Sequence, residues 1–186
     1  MNYQLCIDHF YPDDTPLRRL LLKHSRQVAD RCLAIVRKHP ELAVDVQFLE
    51  EAAMLHDIGI CRCHAPSILC EGTEPYIRHG VIGGEMLRSL SAQGFQASAL
   101  EKYARVCERH TGTGLTREQI ERQGLPLPLQ DFIPETLEEE LICYADKFYS
   151  KSSPDQVRTV LETAESLERF GHEGVIKFLS WAERFE

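Results

Sequence analysis

Ionisable side chains on apolar helical faces are the feature that most constrains this sequence. The pattern from Leu49 predicts a helix whose apolar side ends at His56, which Asp57 follows directly. Ala53 and Leu49 lie three and seven residues before His56, so the imidazole points into the protein. A buried carboxylate beside a buried imidazole is costly unless a partner compensates them, and a metal ion is such a partner. A single histidine of this kind is more often hydrogen-bonded in a core, so the interpretation depends on whether the pattern recurs.

The pattern recurs at three more histidines and one aspartate. His24 lies four residues from both Leu20 and Val28, and His79 and His110 also share a face with nearby apolar residues. If these were independent core histidines, each would need its own buried acceptor, whereas convergence on one or two metal ions explains all of them together. Imidazole suits Fe, Zn, Cu and Ni, while carboxylates also accept Mn and can bridge two ions. The six potential ligands are His24, His56, Asp57, His79, His110 and Asp146.

The spacing of apolar residues predicts an all-α protein. Thr15 and Pro16 form a good helix start, and His39-Pro40 ends that helix. Residues 1–14 and 61–76 lack periodicity and contain turn-forming residues, so both are expected to be irregular, and no β-hairpin pattern is present. Helices are predicted at about 15–39, 42–57, 97–109 and 135–150, from near 79, briefly from 116, and from 154 with a break at Gly171.

Length and charge limit the class of protein. For 186 residues, 43% of them apolar, we expect one domain over 1–186, with a core at about 17–150 and a C-terminal helix at about 154–185. The absence of a membrane-length apolar run and of a signal-peptide pattern predicts a cytoplasmic protein. The net charge of −8 argues against an extended surface for binding nucleic acid. It allows the partner to be a small phosphorylated substrate, such as a nucleotide. An apolar C-terminal helix on an acidic chain also allows a homodimer.

Seven cysteines raise the question of a second kind of metal site. Cys61, Cys63, His64 and Cys70 form a cluster that could be proposed as a zinc site. Their spacing matches no familiar pair of CxxC motifs, and only one such cluster is present. Reduced, partly buried thiols in a loop are therefore the preferred interpretation.

The six ligands, taken in order, resemble those of the HD-domain metal-dependent phosphohydrolases, whose pattern is H…HD…H…H…D. The pair His56-Asp57 is followed by Ile58-Gly59, as in the HDIG-type members, and the resemblance covers about residues 17–150. The likeness is closer to a subgroup of small uncharacterised HDIG-type proteins and more distant to the HD-domain hydrolases that cleave diadenosine tetraphosphate. The resemblance implies a compact HD-domain helical bundle.

The resemblance also implies roles for the ligands. His24, His56, Asp57 and Asp146 would hold a first metal, while His79 and His110 would hold a second that Asp57 bridges. Asp57, His79 and His110 would then be the catalytic residues. The cofactor would be one or two divalent transition-metal ions, with iron expected first and Mn, Zn, Co or Ni as alternatives. Two such ions can generate a hydroxide and neutralise phosphoryl oxygens during in-line attack.

Basic residues near the ligands are candidates for binding the substrate phosphate, although most Arg and Lys side chains are simply solvated. The family often has Lys or Arg directly after Gly59, where Ile60 stands here, so Arg62 is considered in its place. Arg26 lies two residues from His24 along a helix and points largely away from that face. The candidates are Arg26, Arg62, Arg78, Arg109 and Lys147.

Three functions agree with this ligand set. The leading hypothesis is an enzyme, a metal-dependent phosphohydrolase that cleaves a small phosphomonoester or a nucleotide phosphoester with metal-activated water. A di-iron HD-fold oxygenase with the same ligands is the enzymatic alternative. A non-catalytic regulatory HD module that keeps metal for stability is the third, although none of the six ligands is missing from this chain.

Overall fold

Polar capping residues mark the starts of several helices in the structure, a computed structural model that describes residues 2–186. The Thr15 side chain accepts from the Arg18 backbone N–H at the start of a helix whose first residue is Pro16, and Asp45, Thr116, Thr136 and Thr159 act in the same way. The helices are α1 (Tyr3–Phe10), α2 (Pro16–Lys38), α3 (Val46–Leu55), α4 (His79–Ser89), α5 (Ala97–Arg109), α6 (Arg117–Gln123), α7 (Leu137–Asp146), α8 (Val160–Leu167) and α9 (His172–Phe185).

The long helix α2 organises the bundle. It packs against α3 and α7, and α4 packs against α5 on the other side of α3. Its inner face buries Leu21, Val28 and Cys32 completely, and His24 lies among them with 1% exposure. The prediction of an all-α fold is therefore confirmed, and the helices bring their apolar stripes, with the histidines on them, into one core.

Three short strands interrupt the helical pattern between α3 and α4. They are β1 (Cys63–Ala65), β2 (Cys70–Glu71) and β3 (Glu74–Pro75), in the sheet order β2-β1-β3, with β1 antiparallel to β2 and parallel to β3. The expectation of an irregular segment without a hairpin is wrong here. Strands of two or three residues are too short to show the alternation by which strands are recognised in a sequence.

The N-terminal segment was also expected to be irregular, and it contains α1 instead. This helix buries Cys6 and Ile7 against the body of the protein. The Tyr11 hydroxyl then donates a hydrogen bond to the Ile58 carbonyl over 2.7 Å, next to the predicted metal ligands. Long-range packing of this kind stabilises a helix of eight residues that has little stability alone.

The C-terminal segment forms two helices with a break at the predicted glycine, but the first begins at Val160 and not near residue 154. Gly171 stands at the break with φ of 117°, a conformation that side chains disfavour. The helices α8 and α9 pack on each other, and α9 also contacts α7. None of the helices in the described residues combines the length and apolarity that crossing a membrane requires.

Candidate metal centre and adjoining cavities

Backbone carbonyls fix the orientation of three of the predicted histidine ligands. In each case Nδ1 lies within hydrogen-bond distance of the carbonyl oxygen three residues earlier. Because a carbonyl can only accept, Nδ1 carries a proton, so that Nε2 faces inward and presents its lone pair there when the ring is neutral. The bonds join His56 to Ala53 (2.6 Å), His79 to Tyr76 (2.7 Å) and His110 to Cys107 (2.7 Å).

The first ligand group lies where α2, the end of α3 and the end of α7 meet. His24 Nε2 is 2.9 Å from Asp146 Oδ1 and 3.2 Å from Asp57 Oδ2, and His56 Nε2 is 3.1 Å from Asp57 Oδ2. One ligand atom from each of these four residues lies within 4.8 Å of the others, so one divalent ion could be held by all four. All four are buried or nearly so.

The second group uses the other oxygen of the same aspartate. Asp57 Oδ1 is 3.5 Å from His79 Nε2 and 3.5 Å from His110 Nε2. The two oxygens of Asp57 thus face different groups, and Asp57 is the one residue that belongs to both of them. A carboxylate placed in this way can bridge two ions.

The contact between His79 and His110 tests whether these residues fit a metal. Their Nε2 atoms are 3.0 Å apart. Both Nδ1 atoms donate to carbonyls, so two lone pairs face each other unless a proton or a metal ion lies between them. Burial and the neighbouring His110 lower the pKa of His79 to about 3, so a proton is not held there at neutral pH. A metal ion relieves this contact, and the donor set therefore fits one.

Buried polar atoms without hydrogen bonds also indicate that these residues fit a metal ion. Within residues 2–186, His56 Nε2 and Asp57 Oδ1 are enclosed and have no hydrogen-bond partner. Buried polar atoms are normally satisfied, because leaving one unpaired costs on the order of 1–3 kcal/mol. Both atoms face the positions that a metal would occupy.

Two lysines compensate the buried carboxylates. Lys151 Nζ contacts Asp57 Oδ2, and Lys147 Nζ donates to Asp146 Oδ2 over 2.6 Å. Burial raises the pKa of Asp57, but the charges of Lys151 and His56 outweigh that effect and hold it well below its usual range. Burial lowers the pKa of His56, and the Asp57 and Asp146 carboxylates overcome this and raise it to about 9. Without a metal, the first group is thus an ionised cluster neutralised by the protein's own cations.

Lys151 is a residue of this site that the sequence did not reveal. It follows α7 within the run Ser150-Lys151-Ser152, which has no periodicity. Its side chain is only 11% exposed. A lysine in a polar turn looks solvated in a sequence, and only the fold turns this one inward.

Glycines bring the two ligand groups together. A Cβ built on Gly59 would lie 2.2 Å from the His79 carbonyl oxygen, and one on Gly80 would lie 2.4 Å from the Cys107 carbonyl oxygen. Neither contact is possible for a larger residue without displacing the backbone. The backbone of the turn after Asp57 is therefore in close contact with the first turn of α4, and the backbone of α4 is in close contact with that of α5.

A cavity of about 450 Å³ opens beside the second ligand group. His79, His110 and Asp146 form its inner end. Its walls carry four basic side chains, which suits a phosphorylated ligand. They are Lys147, Lys151, Arg158 and Arg169.

Of the phosphate-binding candidates from the sequence, the structure brings only Lys147 into this cavity. The other four do not line it, and three of them are in ion pairs with acidic residues. Arg26 contacts Glu50 and Asp30, Arg78 contacts Glu74, Arg109 contacts Glu135 and Glu139, and Arg62 is exposed.

The cysteine cluster does not form a comparable site. In the described chain none of the seven cysteines is in a disulfide, and the two groups able to hold a metal contain only His and Asp. The Cys63 thiol donates to the Gly59 carbonyl and the Cys70 thiol to the Ile68 carbonyl. These thiols are packing residues around the metal centre.

Comparison with known proteins finds similar sequences. An uncharacterised protein of Methanocaldococcus jannaschii is 35% identical over 150 residues, which are 76% of this chain and 77% of that protein. Two proteins named tRNA (cytidine(56)-2'-O)-methyltransferase are also similar. The one from Picrophilus torridus is 28% identical over 66% of this chain, and the one from Thermoplasma volcanium is 25% identical over 76% of it. The matched regions are only 30% and 35% of those two proteins.

No solved structure matches the chain. The family described as HD domain matches residues 21–150, the segment that carries all six ligands. The chain therefore belongs to the HD-domain family, within a superfamily of metal-dependent phosphohydrolases.

Proposed function

We propose that this protein is a metal-dependent phosphohydrolase that cleaves a small phosphomonoester or a nucleotide phosphoester. The observation that carries the proposal is the position of the second ligand group. His79 and His110 lie both against Asp57 and at the inner end of a cavity lined by four basic residues. A metal centre that opens onto a cationic cavity suits an anionic substrate whose reacting atom must come close to the metal.

Divalent ions in such a centre supply Lewis acidity and a water of lowered pKa. Asp57 would hold two ions through its separate oxygens, with His24, His56 and Asp146 on one side and His79 and His110 on the other. We expect two ions, with iron first among the candidates. The protein's own contribution is to fix these ligands through backbone bonds and to exclude water from the buried side.

The lysines take part in binding the substrate. Lys147 donates to the His110 carbonyl over 3.0 Å, which holds its ammonium at the edge of the centre. Lys151 contacts Asp57 in this structure and also lines the cavity. Once a metal compensates Asp57, the Lys151 ammonium is free to turn toward a phosphoryl oxygen in the cavity.

The basic lining favours hydrolysis of a phosphoester over the oxygenase alternative. Activation of oxygen requires no cluster of four cations, whereas a phosphoester with two negative charges requires compensation. A purely regulatory role is less well supported, because all six candidate ligand residues are present and three of them, His79, His110 and Asp146, line the cavity.

The test combines metal content with turnover. Protein purified without chelators is analysed for metals per chain, and turnover of p-nitrophenyl phosphate and nucleoside monophosphates is followed with and without oxygen. We expect close to two ions and oxygen-independent release of phosphate, both lost in Asp57→Ala. Strict dependence on oxygen would favour the oxygenase, and absence of turnover in the fully loaded protein would favour the regulatory module.

A further inference from the structure

We infer that a second cavity, which opens beside the cationic one, binds the nucleoside part of the phosphorylated substrate. This inference deepens the proposed function and rests on it for the position of the phosphate. The second cavity has a volume of about 390 Å³. If this cavity binds a nucleoside, the preferred substrates are nucleoside monophosphates.

The two cavities adjoin beside the metal centre. Both are lined by Tyr76, His79, Thr111, Gly112, Leu167 and Phe170. A substrate with its phosphate at His79 and His110 can therefore extend past Thr111 and Gly112 into the second cavity. The shared lining makes the two cavities parts of one substrate site.

The second cavity differs from the first in charge. No Lys, Arg, Asp or Glu side chain contributes to its lining, and its only histidine is His79. The cavity therefore suits an uncharged group, because a charged one would lose its hydration without compensation.

Its walls combine apolar and hydrogen-bonding groups. Apolar contacts come from Ile77, Leu115, Leu125, Leu167 and Phe170. Hydroxyl and amide groups come from Thr111, Thr113, Gln119 and Gln123. A base has apolar faces and polar edges, and a ribose adds hydroxyls, so a nucleoside uses both kinds of wall. A lipid chain would leave the polar groups unpaired, and a bare sugar would leave the apolar wall uncovered.

Phe170 is the residue best placed to contact the base. Its ring is 63% exposed, although it is large and apolar, and it lies at the boundary of both cavities. Arg169, beside it, holds its guanidinium 4.5 Å from the centre of this ring and lines only the cationic cavity. An exposed aromatic ring at this boundary offers a stacking surface next to a phosphate-binding arginine.

The decisive measurement for an active enzyme is selectivity. We would compare kcat/KM for AMP and UMP with kcat/KM for ribose 5-phosphate, which keeps the phosphate and the sugar but has no base. We expect a preference of about tenfold or more for the nucleotides, the scale that stacking of one base on a side chain supplies. Equal kcat/KM values for the three compounds would overturn the inference and leave the proposed function intact.

A variant pair locates the effect. Phe170→Ala should reduce the preference for nucleotides by about threefold or more, since the stacking surface is lost. Leu161→Ala is the matched control, because Leu161 is 73% exposed on α8 and lines neither cavity. Retention of the full preference in Phe170→Ala would contradict the assignment of this cavity.

Binding of a nucleoside without phosphate tests the inference independently of catalysis. Adenosine and uridine are titrated into chelator-treated protein by calorimetry, for the natural sequence and for both variants. One outcome separates the two proposals, namely that no phosphoester is turned over but nucleosides still bind. If that binding is weaker in Phe170→Ala and unchanged in Leu161→Ala, the nucleoside cavity is supported and the proposed function is overturned. Absence of turnover together with absence of binding at millimolar nucleoside would overturn both.

Discussion

The two ligand groups share Asp57 and yet differ in how they are compensated. The first, with His24, His56 and Asp146, reaches the cationic cavity only through Asp146 and already contains cations, because Lys151 and Lys147 contact its carboxylates. The second has two neutral imidazoles and no lysine of its own, and it opens onto the cavities.

We expect this difference to separate a structural part of the centre from a reactive part. Four protein ligands that are almost wholly buried would leave little room for substrate, whereas three ligands beside a cavity would leave positions for water and a phosphoryl oxygen. The first group is therefore expected to keep the centre assembled, and the second to meet the substrate.

Asp57→Ala should affect both groups, because it removes the residue that they share. We expect loss of both ions and a fall in kcat/KM of about a thousandfold or more, since metal ions supply several kcal/mol of transition-state stabilisation. Metal analysis, kinetics and circular dichroism are measured together, and the helical spectrum should persist. His64→Ala is the control, because His64 is exposed and belongs to neither group. Full activity in Asp57→Ala would show that the metal assignment is wrong.

His79→Ala should affect only the second group. The metal content is expected to fall from about two ions to about one, with a loss in kcat/KM of about a hundredfold, equivalent to about 2.7 kcal/mol. His56→Ala, measured in parallel, should deplete the first group instead and destabilise the core more. If His79→Ala retains both ions, the second group does not bind metal.

Lys151→Met should distinguish the metal-free from the metal-bound first group. Without metal, the variant leaves Asp57 buried beside histidines alone, and we expect destabilisation of about 2 kcal/mol, or roughly 4–8 °C in Tm. With metal bound, the same substitution should change Tm by no more than about 1 °C, because the ion replaces the lysine charge. Thermal melts with chelator and with added metal measure both. Lys23→Met removes an exposed lysine paired with Asp155 and should change neither value. Equal destabilisation in both forms would indicate that Lys151 is purely structural.

Arg158→Ala should have the smallest effect, confined to the cationic cavity. We expect KM for a phosphoester to rise about fivefold, with metal content unchanged, because one of several phosphate-compensating charges is lost. Arg122→Ala removes an exposed arginine paired with Glu118, far from the lining, and serves as the comparison in steady-state kinetics. An unchanged KM in Arg158→Ala would place the phosphate elsewhere.

The sequence revealed the candidate ligands better than their surroundings. Residues such as His24 and His110 could be singled out because an ionisable residue on an apolar stripe breaks a periodic pattern, and the helices carrying them were found for the same reason. Lys151 and Arg158 lie in turns without periodicity, so only tertiary packing brings them to the cavity. The predicted arginines were chosen by nearness along the chain, and Arg109, for example, is instead paired with acidic residues of its own surroundings.

The glycine after the His-Asp pair has a consequence for engineering the centre. At Gly59 a single hydrogen atom occupies the space between two backbones, since a methyl group there would collide with the His79 carbonyl and the Gly83 amide. The spacing between the two halves of the centre is thus set by main-chain contact as well as by the ligands themselves. A larger residue at Gly59 is therefore expected to force the two halves of the centre apart, although all six candidate ligands would still be present.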